Sequence, residues 1–315
     1  MKSREHIWFT SAGMTILTLL VLADMLWGGS LGLSDLSIIW QLRAPRIVTA
    51  MIAGASLALA GSQMQSILRN PLADPHIMGV SSGASLGAAV ATMWLGNVGL
   101  IFNSLSITLA AFIGASISAI VILAASRKFR SAGTLLIFGV MFGFIVNAIV
   151  SILQFSSDAE SLKIFYSWSA GSFSHTTWPQ TGLAAAVLII GFIIAYRSRK
   201  GLDILLFGDE YAQLSGADTG KIRLRAILSC CLLTAAVTAF CGPLGFVGIV
   251  APHIVRAITR TSAHHIILPG AMLTGAAMSL IADLISQLSP TPLPVASTMA
   301  LVGIPVIIYI MLKKA

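Results

Sequence analysis

The chain is short of charge. Asp, Glu, Lys and Arg together make up 10% of its 315 residues, whereas an average soluble domain has about 25%. The hydrophobic fraction is 57% and the mean hydropathy is +0.92. Water is therefore excluded as the main solvent, and no stretch is left for a separate soluble domain. We interpret residues 1–315 as a single all-α, polytopic membrane domain.

Cysteine is rare as well. The three cysteines, Cys230, Cys231 and Cys241, fall in one apolar run, and we interpret them as small core residues. This excludes a disulfide framework. The six histidines show no HxxH, HxxxH or HExxH spacing, so the sequence offers no convergent set of metal ligands. We predict no metal site and no cofactor.

Signatures of catalysis and of energy conversion are missing too. The segment Gly216–Ile222 resembles a phosphate loop, but it has three residues between its glycines instead of four and no Ser or Thr after Lys221. Ionisable residues inside apolar runs mark proton relays. Asp24 and Asp283 are the nearest candidates for such intramembrane residues, but they lie near helix ends. We expect no buried Lys, Arg or Glu to pair with them. We predict no catalytic residue and a chain that cannot power transport alone.

Apolar runs of membrane length recur along the chain. A bilayer core about 30 Å thick takes about 20 residues of α-helix. Nine runs approach that length: Ile7–Trp27, Ile47–Leu68, Gly79–Leu95, Leu105–Ala125, Thr134–Leu153, Gly182–Tyr196, Ala226–Val250, Ile266–Leu288 and Val295–Leu312. The seventh run is too long for one crossing and is broken at Cys241–Gly245, where glycine and proline disfavour a helix. A further short helix around His253–Thr261 gives ten transmembrane helices, an even number, as basic residues at both termini require.

The basic residues are distributed unevenly between the two sides of the membrane. When Lys2 and Arg4 are placed in the cytoplasm, nearly all of the 19 Lys and Arg residues fall on the inner side. Only Arg43, Arg46 and Lys163 fall outside. Basic residues are retained in the cytoplasm during insertion, so we predict that both termini are cytoplasmic and that the net charge of +8 needs no nucleic-acid partner. The first run is longer than a signal-peptide core and lacks a clean cleavage site, so we expect it to remain as the first helix.

The largest polar segment is Gly201–Arg225, which we place in the cytoplasm. It is too long for a tight turn and too polar for lipid, and it holds two helix-compatible pieces, around Asp209–Leu214 and Thr219–Leu224. Acidic residues open the first piece, where they suit the helix dipole. Composition leaves two interpretations open: a docking surface for another protein, or a solvated connector.

Two outer features also depart from the apolar pattern. Arg43 and Arg46 flank a proline before the second helix, and the arginine fork suits carboxylates. We predict that both face water and receive an acidic partner or an anionic solute; the alternative is a pair of interfacial arginines that snorkel to the membrane surface. The outer stretch Ser167–Gln180 contains Trp168 and His175, which we predict to contact a solute.

Five motifs follow one another along the chain. Arg-x-Pro-Arg precedes the second helix, and NPLADPxxxGVSSGA follows it at Asn70–Ala84. The remaining motifs are GDEYA at Gly208–Ala212, the long Gly242–Arg256 segment, and Leu293–Val295 with Gly303–Pro305. Together they resemble the permease subunits of type II ABC importers for iron siderophores, heme and cobalamin. The resemblance covers nearly the whole chain.

That resemblance implies ten helices per subunit and a homodimer, with a central pathway between the two copies lined mainly by helices five and ten. It implies two cytoplasmic ABC ATPase subunits bound to the loop between helices six and seven, so docking becomes the favoured interpretation of that loop. A periplasmic or lipid-anchored substrate-binding protein would meet Arg43 and Arg46. The implied location is the bacterial inner membrane. The residues expected to contact the ATPase are Gly208, Asp209, Glu210, Tyr211, Gln213, Leu214, Gly216 and Gly220.

The resemblance also implies alternating access, in which ATP binding closes the ATPase pair and rocks the two subunits around smooth apolar walls. One position departs from the cobalamin permeases, because Gln287 stands where those relatives carry a further arginine. Ferric siderophore is our first choice of cargo, heme the second and cobalamin the third, since selection is expected to reside largely in the binding protein. An ion-coupled secondary transporter and a membrane scaffold without transport remain as other classes.

Overall fold

The computed structural model describes residues 2–27, 39–95, 104–129, 131–289 and 291–314. These residues form thirteen α-helices and no β-strand, which confirms the all-α fold class. The helices are α1 (Lys2–Trp27), α2 (Ala44–Leu68), α3 (Val80–Ala89), α4 (Ser104–Lys128), α5 (Ala132–Phe155), α6 (Ala159–Ser169), α7 (Trp178–Arg197), α8 (Arg199–Leu205), α9 (Asp209–Leu214), α10 (Thr219–Cys241), α11 (Val247–Thr259), α12 (His264–Ser286) and α13 (Val295–Lys314). A π-helical turn, Ile39–Arg43, leads into α2, a 3₁₀ turn, Pro75–Met78, leads into α3, and a π-helical segment, Val90–Leu95, extends α3.

Seven of the described helices are long and apolar enough to cross a membrane, judged by length and composition. They are α1, α2 with its preceding turn, α4, α5, α7, α10 and α12. Helix α11 and residues Val295–Ile310 of α13 are shorter apolar helices, and α3 with its π-helical extension is also short. The multi-pass architecture is therefore confirmed, whereas the count of ten crossings stays a prediction.

Helix α2 is the centre of the fold. In its most apolar stretch 89% of the residues are buried inside the protein, whereas the share is 6% in α1 and 28% in α5. Helix α2 packs against α12, α10 and α11. Glycines bring these helices together. A Cβ on Gly54 would overlap the carbonyl of Gly275 on α12, and a Cβ on Gly61 would overlap the carbonyl of Gly248 on α11. Such small residues let helix backbones approach closely in lipid.

The predicted break in the seventh apolar run is confirmed. Helix α10 ends at Cys241 and α11 begins at Val247. Between them Gly242 has φ 79°, in the left-handed region that favours glycine. A Cβ at Gly242 would lie 2.6 Å from the carbonyl oxygen of Trp168. The chain therefore leaves the helix at a position that only glycine fits.

Helix α11 is longer than predicted, because it begins at Val247 instead of around His253 and contains Pro252. Proline has no N–H to donate to the carbonyl of Gly248, four residues earlier. The side-chain amide of Gln65 on α2 donates to that carbonyl instead, at 3.2 Å. A neighbouring helix thus replaces the missing bond, so the proline does not end α11.

Helix α6 has no apolar run behind it and was not predicted. Its start is fixed by the Asp158 carboxylate, which accepts the backbone N–H groups of Glu160 and Ser161, each at 3.1 Å. This is a helix N-cap. The hydrogen bonds from Ser161 hold the pKa of Asp158 below its usual value. Helix α6 places Trp168 beside the break between α10 and α11.

Candidate functional site

The inner polar segment folds into two short helices, α8 and α9, ahead of the long α10. Helix α9 has the bounds that the sequence predicts, and the second predicted piece forms the first turns of α10. Gly208 makes the turn between α8 and α9 with φ 110°, a backbone geometry that favours glycine. The segment is therefore an ordered structural unit with a definite face.

An ion pair between buried Arg223 and half-buried Asp209 fastens α9 to α10. The Arg223 side chain is 4% exposed, and its Nη2 lies 2.7 Å from Asp209 Oδ1. The backbone N–H of Ala217 donates to the carbonyl of Ala212 at 2.9 Å, and Ala212 is buried. Removing one partner of such a pair leaves an uncompensated buried charge. Asp209 thus holds α9 in place, a role that the sequence did not indicate.

The other side of α9 is open. Tyr211 is 54% exposed and Leu214 is 89% exposed. Phe207, also exposed, lies beside Tyr211 with ring centroids 5.4 Å apart. A group of large apolar side chains on a surface indicates a protein–protein contact. Four more of the predicted ATPase contacts are exposed in the same segment: Glu210, Gln213, Gly216 and Gly220.

A second polar contact joins α8 to the core. Asp203 Oδ1 accepts the backbone N–H of His264 at 2.8 Å and lies 2.6 Å from its ring Nδ1. The ring Nε2 of His264 lies 2.6 Å from Ser66 Oγ on α2. Burial raises the pKa of the Asp203 carboxyl, but the hydrogen bonds from His264 outweigh it, so the pKa is lowered overall. Helices α8, α12 and α2 thus meet at one buried histidine.

This contact should weaken in acid. Because the pKa of Asp203 is lower in the folded protein than its ordinary value of 3.8, the carboxylate stabilises the fold fully above that value. The contribution is lost as the pH falls through the folded-state pKa. We expect Asp203→Asn to lower the free energy of unfolding by about 1 kcal/mol at neutral pH. We also expect the Tm of this variant to fall less than that of the wild type as the pH is lowered. Unchanged acid dependence in Asp203→Asn, measured by thermal unfolding of the isolated permease in detergent from pH 3 to pH 7, would contradict this role; Glu210→Gln, a change of an exposed carboxylate, is the control.

The sequence predicts that both outer arginines face water, but in the structure Arg46 is largely buried. Arg46 forms a two-pronged ion pair with Asp283 on α12, with Nε to Oδ2 at 2.8 Å and Nη2 to Oδ1 at 2.7 Å. The Asp283 side chain is 0% exposed and that of Arg46 is 17% exposed. Arg43 is half-buried and donates from Nη1 to the carbonyl of Met25 on α1, at 2.9 Å. Arg46 is thus held by Asp283, and Arg43 makes a hydrogen bond to the backbone of α1.

The expectation of no basic partner was wrong for Asp283, which pairs with Arg46, whereas the partner of Asp24 is a neutral amide. Gln287 Nε2 donates to Asp24 Oδ1 at 2.7 Å and to Asp283 Oδ2 at 3.2 Å, and Arg46 neutralises Asp283. Arg46 stands 237 residues before its partner, so only the packing of α2 on α12 reveals the pair. Gln287 bridges the two carboxylates.

An outer cavity of about 770 Å³ brings His175 and Trp168 together. Glu160 and Lys163 of α6 also line it, and Phe240 of α10 forms part of its apolar wall. The second tryptophan of the outer stretch, Trp178, lies elsewhere. Trp178 donates from its ring N–H to the Trp40 carbonyl at 2.9 Å and packs on that tryptophan. The predicted solute contacts thus share one cavity that has an acidic, a basic and an apolar side.

His76 is a structural residue that the sequence did not single out. Its Nε2 lies 2.6 Å from the carbonyl of Leu244, which the break between α10 and α11 leaves without a helical partner. Its Nδ1 is bonded to Ser81 Oγ, and Ser81 lies 3.3 Å from Thr238 Oγ1. A histidine in a loop gives no sequence signal for this role, because the carbonyl it satisfies is far away along the chain. Among the described residues no three His, Cys, Asp or Glu side chains are grouped so as to hold a metal ion.

Comparisons with known proteins agree with the geometry. Residues 9–313 match the FecCD transport family. The cobalamin import permease BtuC of Halobacterium salinarum is 35% identical over 276 residues, covering 87% of this chain and 73% of that protein. The hemin transport permease HmuU of Yersinia pestis is 32% identical over 281 residues, covering 88% of this chain and 84% of that protein.

A solved structure is similar throughout. A metal-chelate-type ABC transporter in an inward-facing conformation superposes with a TM-score of 0.85 and 28% identity, covering 96% of this chain and 99% of that one. The family match spans nearly the whole sequence, and it includes the polar segment Gly201–Arg225 and the broken α10–α11 pair described above. The chain belongs to the FecCD transport family, the permease subunits of type II ABC importers.

Proposed function

We propose that two copies of this chain form the membrane pathway of an importer that carries a ferric siderophore, or a similar iron chelate, from the periplasm to the cytoplasm of a bacterium. Two cytoplasmic ATPases supply the energy, and a substrate-binding protein delivers the cargo. Both termini lie in the cytoplasm, and each copy crosses the membrane ten times. Family membership supports the importer class, while an ion-coupled transporter finds no support in the comparisons.

The observation that carries this proposal is the apolar face of α9. Tyr211 and Leu214 are exposed on a short helix that an ion pair with buried Arg223 fixes to α10. A partner that pushes on α9 would therefore move α10, which packs on α4 and α2, instead of deforming a loose loop. Closure of the ATPase pair can in this way be transmitted to the helices around the pathway.

The dimer and its pathway are supported by the edges of the subunit. Helix α5 packs mainly on α3, and α13 packs on α12 and α11, so each leaves one side unpaired. The exposed apolar residues on these sides include Ile137, Met141, Phe144, Ile145, Ile152, Leu301, Ile304 and Ile308. In a homodimer these two helices, the fifth and tenth crossings, would line the pathway.

The outer cavity supports an anionic chelate as cargo. Its volume of about 770 Å³ falls within the range of about 300–1,000 Å³ typical of sites for drug-sized ligands. Lys163 and His175 offer cationic or hydrogen-bonding groups, and Trp168 offers a flat apolar face. Heme is the second candidate, supported by the relative HmuU, and cobalamin is the third, supported by the relative BtuC.

The cargo can be tested on the substrate-binding protein that delivers it to this permease. We expect it to bind a ferric hydroxamate or catecholate at least about tenfold more tightly than hemin or cyanocobalamin, a preference of about 1.4 kcal/mol. The measurement is tryptophan fluorescence quenching with each of the four ligands, and the iron-free chelators serve as controls. Preference for hemin or cyanocobalamin would replace the siderophore with that cargo.

Docking of the binding protein should depend on Arg43 more directly than on Arg46, because Asp283 already holds Arg46. We expect Arg43→Glu to weaken capture of the binding protein about tenfold at low salt, with the loss shrinking as salt is added. Lys163→Glu, another change of an outer positive charge, is the matched control and should have a smaller effect. Equal affinities for wild type and Arg43→Glu at low salt, measured by biolayer interferometry on nanodiscs, would argue against docking at this position.

A further inference from the structure

A second cavity, of about 400 Å³, lies beside α5, where the break between α10 and α11 meets the start of α3. Part of its wall is the non-helical segment with Pro243, Gly245 and Phe246. A Cβ added at Gly245 would meet no atom within 4 Å, so this backbone borders open space. Non-helical backbone at membrane depth is tolerated where it is buried in protein or lines a watery cavity.

The cavity lies deep in the membrane. Asn147 of α5 lines it, fifteen residues after Ala132 and eight before Phe155. At 1.5 Å per residue, Asn147 is about 22 Å from one end of the helix and about 12 Å from the other. Both distances place it within a hydrocarbon core about 30 Å thick.

Half of the polar lining is already engaged within the protein. Asp74 accepts the backbone N–H of His76 at 2.8 Å, and the two ring nitrogens of His76 contact Ser81 and the Leu244 carbonyl. These bonds join the loop before α3 to the break after α10. They occupy both ring nitrogens of His76, whereas the Asp74 carboxylate keeps acceptor capacity on Oδ2.

The other half has hydrogen-bonding capacity to spare. Ser82, Ser85 and Asn147 line the cavity, and within the described part of the chain their side chains make no hydrogen bond. Several serines in the other helices donate to a carbonyl one turn back, as Ser66 and Ser126 do. Ser82 Oγ would lie 3.5 Å from a Cβ at Gly143 of α5, so it faces the pathway helix. Polar groups without a partner are costly in lipid, so these three need water or a solute.

We propose that Ser82, Ser85 and Asn147 form a polar contact site for the cargo, midway along the pathway, and that its ligand is the oxygen-rich periphery of a hydroxamate or catecholate chelate. This rests on the proposed function and replaces the expectation of smooth apolar walls at this depth. The serine hydroxyls and the asparagine amide can donate hydrogen bonds to such oxygens. Because these groups carry no charge, they bind the solute weakly enough for it to move on. A bare cation would meet one carboxylate, Asp74, among the described lining residues, which is fewer charged oxygen ligands than Ca²⁺ or Mg²⁺ sites normally have. The apolar face of a porphyrin would offer the hydroxyls no hydrogen-bonding group.

The site can be tested by cysteine labelling of the permease dimer with its ATPases in nanodiscs. We expect Ser85→Cys and Asn147→Cys to react with a negatively charged methanethiosulfonate at least about tenfold faster than Ile117→Cys, because the reactive thiolate forms only in water. Ile117 is 58% exposed on the apolar surface of α4 and serves as the lipid-facing control, and the wild type, whose cysteines are buried, gives the background. Labelling no faster than at Ile117, both without nucleotide and with trapped ATP, overturns the site.

The ligand class is tested by protection from labelling. A ferric trihydroxamate should slow labelling of Asn147→Cys about twofold at half-occupancy, because only the unoccupied half of the sites reacts. It should not slow labelling of Phe155→Cys, which is 92% exposed at the end of the same helix. No slowing, or slowing by hemin alone, overturns the assignment of the ligand. Vanadate-sensitive ATP hydrolysis measured on the same samples separates the two failures: if the permease still regulates its ATPases, only this site is wrong.

Discussion

Replacing Tyr211 with alanine and Leu214 with aspartate together is expected to weaken binding of the ATPase subunits about 100-fold or more, since central apolar anchors of an interface are worth about 2 kcal/mol each. Both side chains are exposed in the isolated subunit, so their removal costs the permease little stability. Cargo-stimulated ATP hydrolysis should disappear while the dimer stays intact. The measurement is ATPase turnover in nanodiscs together with size-exclusion chromatography.

The control for this experiment lies in the same loop. Lys200→Ala changes an exposed residue of α8 outside the predicted contact and should leave turnover near wild type. Normal turnover in the Tyr211 and Leu214 double variant would remove α9 from the coupling mechanism. Charge reversal at Glu210 should reduce turnover as well, since that side chain is exposed.

Charge reversal at Asp209 tests something different, because that residue pairs with buried Arg223. Asp209→Lys would place two positive charges together and is expected to unfold the segment locally. Asp209→Asn keeps the shape and one hydrogen bond, so it should retain ATPase binding but lose part of the coupling. A rise in protease sensitivity of the loop in Asp209→Lys, absent in Glu210→Lys, would distinguish the structural role from the docking role.

Arg46→Met is expected to destabilise the protein by about 3–5 kcal/mol, because it leaves the Asp283 carboxylate buried without a counter-charge. At 0% exposure that carboxylate cannot recover its hydration. In a chain of this size such a loss corresponds to a fall in Tm of roughly 10 °C or more. Thermal unfolding of the detergent-solubilised dimer gives the measurement.

Two further variants separate the ion pair from the positions themselves. The double change Arg46→Met with Asp283→Leu removes both charges and should recover most of the lost stability, since a buried pair replaced by apolar residues is often neutral. Arg43→Met, which removes a bond to a backbone carbonyl, should cost much less. If Arg46→Met melts like the wild type, Asp283 is not held by this pair, and Arg46 is free to serve as a docking residue.

Much of the fold follows from the sequence because lipid imposes a simple rule on it. Every membrane helix must be apolar over most of its length, so the long apolar runs predict the long helices, and Gly242 with Pro243 predicts the break after α10. Helix ends are set by local hydrogen bonds instead. Helix α7 starts at Trp178, four residues before its apolar run, because the Thr177 N–H donates to Gln180.

The contacts between helices could not be predicted in the same way. The Arg46–Asp283 pair, the Gln65 bond that replaces a missing proline donor and the His76 contact to the Leu244 carbonyl all join residues distant in sequence. In each contact, a side chain from one part of the chain pairs with a polar group on an element that is distant in sequence. Hydropathy carries no information about such partners. The motif Gly208–Ala212 predicts the segment that docks the ATPase, yet only the structure separates Asp209, which pairs with buried Arg223, from Tyr211, which is exposed.

The central claim is that this permease moves its cargo with energy taken from a separate ATPase. The most direct test is accumulation of a radiolabelled ferric hydroxamate in proteoliposomes that contain the permease dimer, its ATPases and the binding protein. The account predicts uphill accumulation with ATP and none with a non-hydrolysable analogue or with a proton or sodium gradient alone. Equal accumulation under an ion gradient in vesicles that lack the ATPase would contradict it.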